Sequence, residues 1–132
     1  MRVNFGFLCD HFAHKDGKPT AVGIGLDAFF ASGTPVRHPG FDAVISMRFS
    51  QEEAGGKSVS LGVTDREGVL ISPDRYEDIH IEPVPGQLYQ NKTVKITISE
   101  TEFPSFGDYL VIWLLDGLEV HSLPLRVMPE TS

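Results

Sequence analysis

Bases, cysteines and helical periodicity are all scarce in this chain of 132 residues. The single cysteine, Cys9, excludes an intramolecular disulfide. No stretch places apolar residues at i, i+3, i+4 and i+7 over three turns, which excludes an amphipathic helix of ordinary length. No apolar run approaches the length of a membrane span. Eleven Lys and Arg face eighteen Asp and Glu, a formal net charge of −7. Residues 76–132 carry nine acids and three bases, so −6 of that charge lies in the C-terminal half. Such a balance argues against a nucleic-acid partner, which wants clustered Lys and Arg, and against docking to an anionic membrane. The nucleophile elbow Gly-x-Ser-x-Gly, the phosphate loop and the dinucleotide fingerprint are absent. The opening Met1–Asp10 has an apolar run too short for a secretory signal and cut by Asn4, and Leu8 stands where a lipoprotein site wants a small residue. A cytoplasmic location is therefore expected.

What the chain does hold is β material. Hydrophobic residues make up 41%, including nine Phe, which excludes disorder. A domain of this length buries about two-thirds of its unfolded surface and needs no metal or disulfide to hold it. Thirteen Gly and nine Pro are spread along the chain, as many short strands require. Val3, Phe5, Phe7 and Cys9 alternate with Asn4, Gly6, Leu8 and Asp10, and Val22, Ile24, Leu26 and Ala28 alternate with their neighbours. With the turn at Asp16-Gly17, residues 3–28 read as a hairpin. Residues 32–40, with two prolines, read as a crossing between sheets. Phe41, Ala43, Ile45, Met47 and Phe49 give the cleanest period-two row. Val59-Leu61-Val63, Ile79-Ile81 and Val94-Ile96-Ile98 give further rows, with a break at Ser72-Pro73-Asp74. Residues 107–127 read as two strands joined by Asp116-Gly117, a pair suited to the two positive φ values of a type I′ turn. No linker or repeat divides the chain. The expectation is one all-β domain over residues 1–132, an antiparallel two-sheet sandwich of about eight or nine strands, immunoglobulin-like.

Two sets of residues carry a resemblance. Gly107-Asp108-Tyr109 before the apolar run Leu110–Leu115 is similar to the start of a late strand in immunoglobulin-like and fibronectin-like sandwiches, where a Tyr bonds back across a corner. Val111 stands where the disulfide cysteine of true immunoglobulin domains would fall. Over most of its length, the chain also resembles a family of small bacterial proteins described as a domain of unknown function. The resemblance rests on Phe7-Leu8-Cys9-Asp10, on Gly17-Lys18 leading to Val22-Gly23-Ile24, on Gly107-x-Tyr109, and on Asp116-Gly117-x-Glu119. It implies a β-sandwich and no assigned activity, and it transfers no catalytic residue.

Residues able to carry chemistry are few and scattered. His11 and His14 flank Phe12-Ala13 with Asp10 and Asp16 nearby, but residues three apart on a strand point to opposite faces, so a metal pair would need a bend between them and exposed histidines at a strand end are the expectation. His38, His80 and His121 have no ligand spacing. Cys9 sits in the Val3-Phe5-Phe7 row and is expected to pack as an inert small hydrophobe. Asp65, Glu67, Asp74, Asp108 and Asp116 fall in turns, where backbone reasons already call for Asp, and none shows the dense spacing a Ca²⁺ loop needs. Gly23-x-Gly25 lies inside a strand and carries no phosphate logic. No catalytic residue, cofactor or metal site is assigned. One segment points to binding. Leu110, Ile112 and Leu114 form a second apolar row behind Tyr109, Val111, Trp113 and Leu115, although a strand with one wet face should be polar there. Either loop residues such as Phe103 and Phe106 cover that row, or it is an interface for self-association or a protein partner. The functional expectation is a non-enzymatic binding or assembly domain, most simply a homo-oligomer. A small-ligand or Ca²⁺-binding sandwich comes second and an enzyme third.

Overall fold

The period-two rows form strands almost throughout. The structure, a computed structural model, describes residues 1–38, 40–72 and 75–130, so Pro39 and the expected break at Pro73-Asp74 lie outside the described residues. Among the described residues twelve strands follow one another: β1 (Arg2–Cys9), β2 (His11–Lys15), β3 (Lys18–Val22), β4 (Ala28–Ala31), β5 (Val36–His38), β6 (Phe41–Ser50), β7 (Gly55–Thr64), β8 (Arg75–Ile81), β9 (Tyr89–Ile98), β10 (Thr101–Phe103), β11 (Gly107–Leu115) and β12 (Leu118–Pro129). Helical structure among these residues is limited to a 3₁₀ turn at Gln51–Glu53. The protein is all-β, as expected. The count of eight or nine strands is corrected to twelve, and two sheets to four.

The orders are β1-β6-β9, β4-β12-β11-β7-β8, β10-β5 and β2-β3. Pairing is antiparallel except where β4 runs parallel to β12. The two larger sheets share one core. Phe41, Ala43, Ile45, Met47 and Phe49 of β6 all point into it, as their alternation predicts, and meet Val111, Trp113 and Leu125 from the five-stranded sheet. The short strands were missed by periodicity because β5 and β10 are only three residues each.

The amino-terminal hairpin departs from expectation. β1 pairs with β6, not with residues 22–28, and the actual hairpin is β2–β3 around Asp16 and Gly17, both at positive φ. Gly23 and Gly25 also take positive φ and end the chain's run as a strand, so that the amides of Gly25 and Leu26 both reach the Leu8 carbonyl. A bulge at Asn4 inverts the alternation in β1. Val3 opposes Met47, but Phe5 opposes Ser46, so the rest of the row is carried to the other face. Leu8, expected on the polar side, enters the main core. Phe5 is half exposed, and Cys9 is buried in a separate small cluster with Phe12 and Val44. The β2–β3 hairpin lies over this outer face of β6. Buried Asp42 fastens it, accepting the Phe12 amide at 2.7 Å and the Thr97 hydroxyl at 2.6 Å.

Candidate interaction surface

β11 lies in the middle of the five-stranded sheet, between β12 and β7. Its alternation puts Tyr109, Val111 and Trp113 into the core and leaves Leu110, Ile112 and Leu114 on the outer face. Leu110 stands between Thr64 and Pro124, Ile112 between Gly62 and Ser122, and Leu114 between Ser60 and Glu119. Leu110 is 42% exposed, and Ile112 and Leu114 are half-buried. The expected cover does not come from Phe103 or Phe106. Phe103 is fully buried in the main core, where it meets Tyr109 edge-on at 5.0 Å. Phe106 is 39% exposed at the edge of the same outer face. Partial cover comes instead from Leu70, which lies so close above Gly62 that a Cβ there would sit 2.7 Å from its Cδ1. Sequence reasoning missed Leu70 because it lies in the connection after β7 with no period of its own.

Beside Leu110 the surface dips into a depression of about 570 Å³. Leu110 and Pro124 are apolar walls, and Asp27, Asp65, Arg66, Asp108 and Arg126 stand around them. Arg126 donates from Nε to Asp108 Oδ1 at 2.9 Å, an exposed ion pair. Asp65 shapes its own turn, accepting the amides of Glu67 at 3.0 Å and Val69 at 2.9 Å through Oδ1. The wall towards Phe106 is held by Tyr109, whose hydroxyl donates to the Ser105 carbonyl at 2.6 Å and accepts the Ser105 amide at 3.2 Å. This is the back-bond across a corner that Gly107-Asp108-Tyr109 led us to expect.

The other candidate residues do not converge. His11 Nδ1 lies 3.8 Å from Asp42, while His14 packs edge-on to Phe12 at 5.7 Å. His80 is exposed beside Glu82. His121 faces inward opposite Trp113, and its imidazole abuts Gly6. His38 stacks on Phe29 at 3.8 Å, and its Nδ1 accepts the Gly40 amide, so burial holds its pKa below the ordinary histidine value. The Cys9 thiol is pushed up, first by burial and then by the carboxylates of Asp42 and Asp10, which keeps it in the unreactive protonated form. Among the acidic turn residues, Asp116 takes positive φ and accepts the Ser58 amide at 2.9 Å, and Asp74 lies outside the described residues. Among the described residues no three His, Cys, Asp or Glu side chains come together to hold an ion. No helix among them is long and apolar enough to cross a membrane.

Residues 4–128 match the family described as family of unknown function (DUF6941), and the chain belongs to that family. No curated protein matches it.

Proposed function

We propose that this member of the DUF6941 family is a non-enzymatic binding or assembly domain whose outer sheet face receives another polypeptide, a second copy or a different protein. The single observation carrying this is the row Leu110, Ile112 and Leu114 at the centre of a five-stranded sheet, covered only in part by Leu70. Fully burying an exposed side chain of this kind is worth roughly 1.5–3 kcal/mol, and these three, already partly covered, each contribute less than that before the entropy of association is subtracted. That is enough to help drive association and not enough for a tight complex by itself. The Tyr109–Ser105 bond and the core shared by two sheets support an immunoglobulin-like sandwich as the architecture, elaborated by the two small sheets. A bacterial, cytoplasmic setting completes this reading.

The test is association in solution. Wild type and Ile112→Glu are compared by light scattering and by co-purification from the native cell, with melting temperatures matched. Loss of a bound polypeptide in the variant supports the reading; identical binding by both removes it.

A second reading rests on the depression beside Leu110. Its volume of about 570 Å³ is that of a small-ligand site, which runs about 300–1,000 Å³. A small molecule that saturates the protein and raises its melting temperature would favour it. Ca²⁺ is the weaker form of this reading, because Asp65, Asp108 and Asp116 already serve backbone amides or Arg126.

A further inference from the structure

Three depressions adjoin on the outer face. The largest shares Asp108 and Arg126 with a second, of about 290 Å³, lined by Phe106 and Met128. It shares Asp65, Arg66 and Asp108 with a third, of about 240 Å³. Together they form one trough along β11 and β12.

The trough has a regular chemical order. Leu110 stands opposite Pro124, Asp108 opposite Arg126, and Gly107 opposite Val127, which carries Phe106 to the level of Met128. Two residues apart along each strand, the floor thus reads apolar pair, ion pair, apolar pair. Both ends are open: Leu110, Phe106 and Met128 are each more than a third exposed. From Pro124 to Met128 is four residues of strand, about 13 Å, the reach of residues i, i+2 and i+4 in an extended chain.

Charge selects the middle residue. Asp27, Asp65, Glu67 and Asp108 outnumber Arg66 and Arg126 around the trough. Arg126 bonds Oδ1 of Asp108, and the turn amides bond Oδ1 of Asp65, which leaves Oδ2 of each without a hydrogen bond among the described residues. A second copy, also at −7, brings the wrong sign to this face.

We propose that the trough seats an extended segment of another protein with an apolar–basic–apolar pattern at every second residue, the apolar side chains against Leu110/Pro124 and Phe106/Met128 and the basic one over Asp65 and Asp108. This rests on the outer face being a polypeptide-binding surface and names the partner's chemistry.

The probe is a synthetic decapeptide of serines with two leucines four positions apart and a lysine midway, titrated into the full chain by calorimetry and by two-dimensional NMR. The expected result is saturable binding that moves the amides of 106–110 and 125–128. It weakens at least tenfold with the peptide's lysine changed to glutamate, and likewise with Asp108→Lys or, independently, Met128→Glu in the protein. Both protein residues concerned, Asp108 and Met128, are surface positions, and each variant's melting temperature is checked first. Absence of saturation at millimolar peptide, equal affinity for the glutamate peptide, or shifts confined to another face overturns the proposal. If the peptide fails while Ile112→Glu still releases a bound polypeptide, the partner's chemistry is wrong and the binding face stands.

Discussion

The Tyr109 hydroxyl spans four residues back to the Ser105 carbonyl, 2.6 Å away, and so fixes the turn that presents Phe106 beside Asp108. Tyr109→Phe keeps the ring in the core and removes both this bond and the one the hydroxyl accepts from the Ser105 amide. The expected loss is about 1–2 kcal/mol, at a usual net worth of about 1 kcal/mol for each hydrogen bond. Amide exchange at 105–107 should quicken while β6 stays protected. An unchanged melting temperature with unchanged exchange would show that the bonds hold nothing.

Gly6 has no side chain because His121 occupies the space: a Cβ would lie 2.6 Å from its Cδ2. Gly6→Ala should cost about 1–3 kcal/mol through overpacking between β1 and β12. His121→Ala in the same background opens the space and should recover part of that loss, a coupling read by a double-mutant cycle in urea. Additive effects would place the strain elsewhere.

Asp42 ties the β2–β3 hairpin to β6 and β9. Asp42→Ala leaves the Phe12 amide without its acceptor and should loosen residues 11–22 ahead of the rest. Cys9, fully buried beneath the hairpin, reports on this directly. Native protein should react slowly with a thiol reagent and the variant markedly faster. Equal labelling rates would mean that the apolar contacts of Phe12 and Val44 hold the hairpin without Asp42.

His38 gives a signed pH dependence. Burial lowers its pKa in the folded state, so the fold favours the neutral ring. Its contribution is therefore fully present above the unfolded value near 6.5, and it is lost as pH falls from there through the folded pKa. His38→Phe preserves stacking on Phe29 and should flatten that part of the pH–stability curve. A curve of unchanged shape in the variant would assign the acid sensitivity to other groups.

How far the sequence shows this molecule depends on where single residues interrupt a period. The β6 row reads correctly because all five inward positions are apolar without a break, although the other face is buried too at Asp42, Val44 and Ser46. β1 misleads because the bulge at Asn4 leaves no mark in the residue pattern, and it exchanges the faces of Leu8 and Phe5. The 107–127 hairpin reads correctly at its turn, where Asp116 and Gly117 both take positive φ. Its register does not. Leu115 opposite Leu118 would, if continued, bring Asp108 opposite Leu125, whereas a bulge between Trp113 and Leu114 shifts the pairing and brings Arg126 there instead. The ion pair and the ladder around it exist through that extra residue, which is why the trough is invisible in a linear reading. The row Leu110, Ile112 and Leu114 was legible because apolar residues on both faces of a strand contradict a single wet face.

The central claim is that this outer face binds polypeptide. It is tested most directly by quantitative co-purification from the native cell with wild type, Ile112→Glu, and Tyr89→Ala as an exposed control on β9 of the three-stranded sheet, together with light scattering of each purified protein. The account predicts a bound polypeptide, or a second copy, that Tyr89→Ala retains and Ile112→Glu loses at an unchanged melting temperature. The same bound set with all three proteins, a wild type that stays monomeric and partnerless at high concentration, or an Ile112→Glu that unfolds because the row belongs to the core, would contradict it.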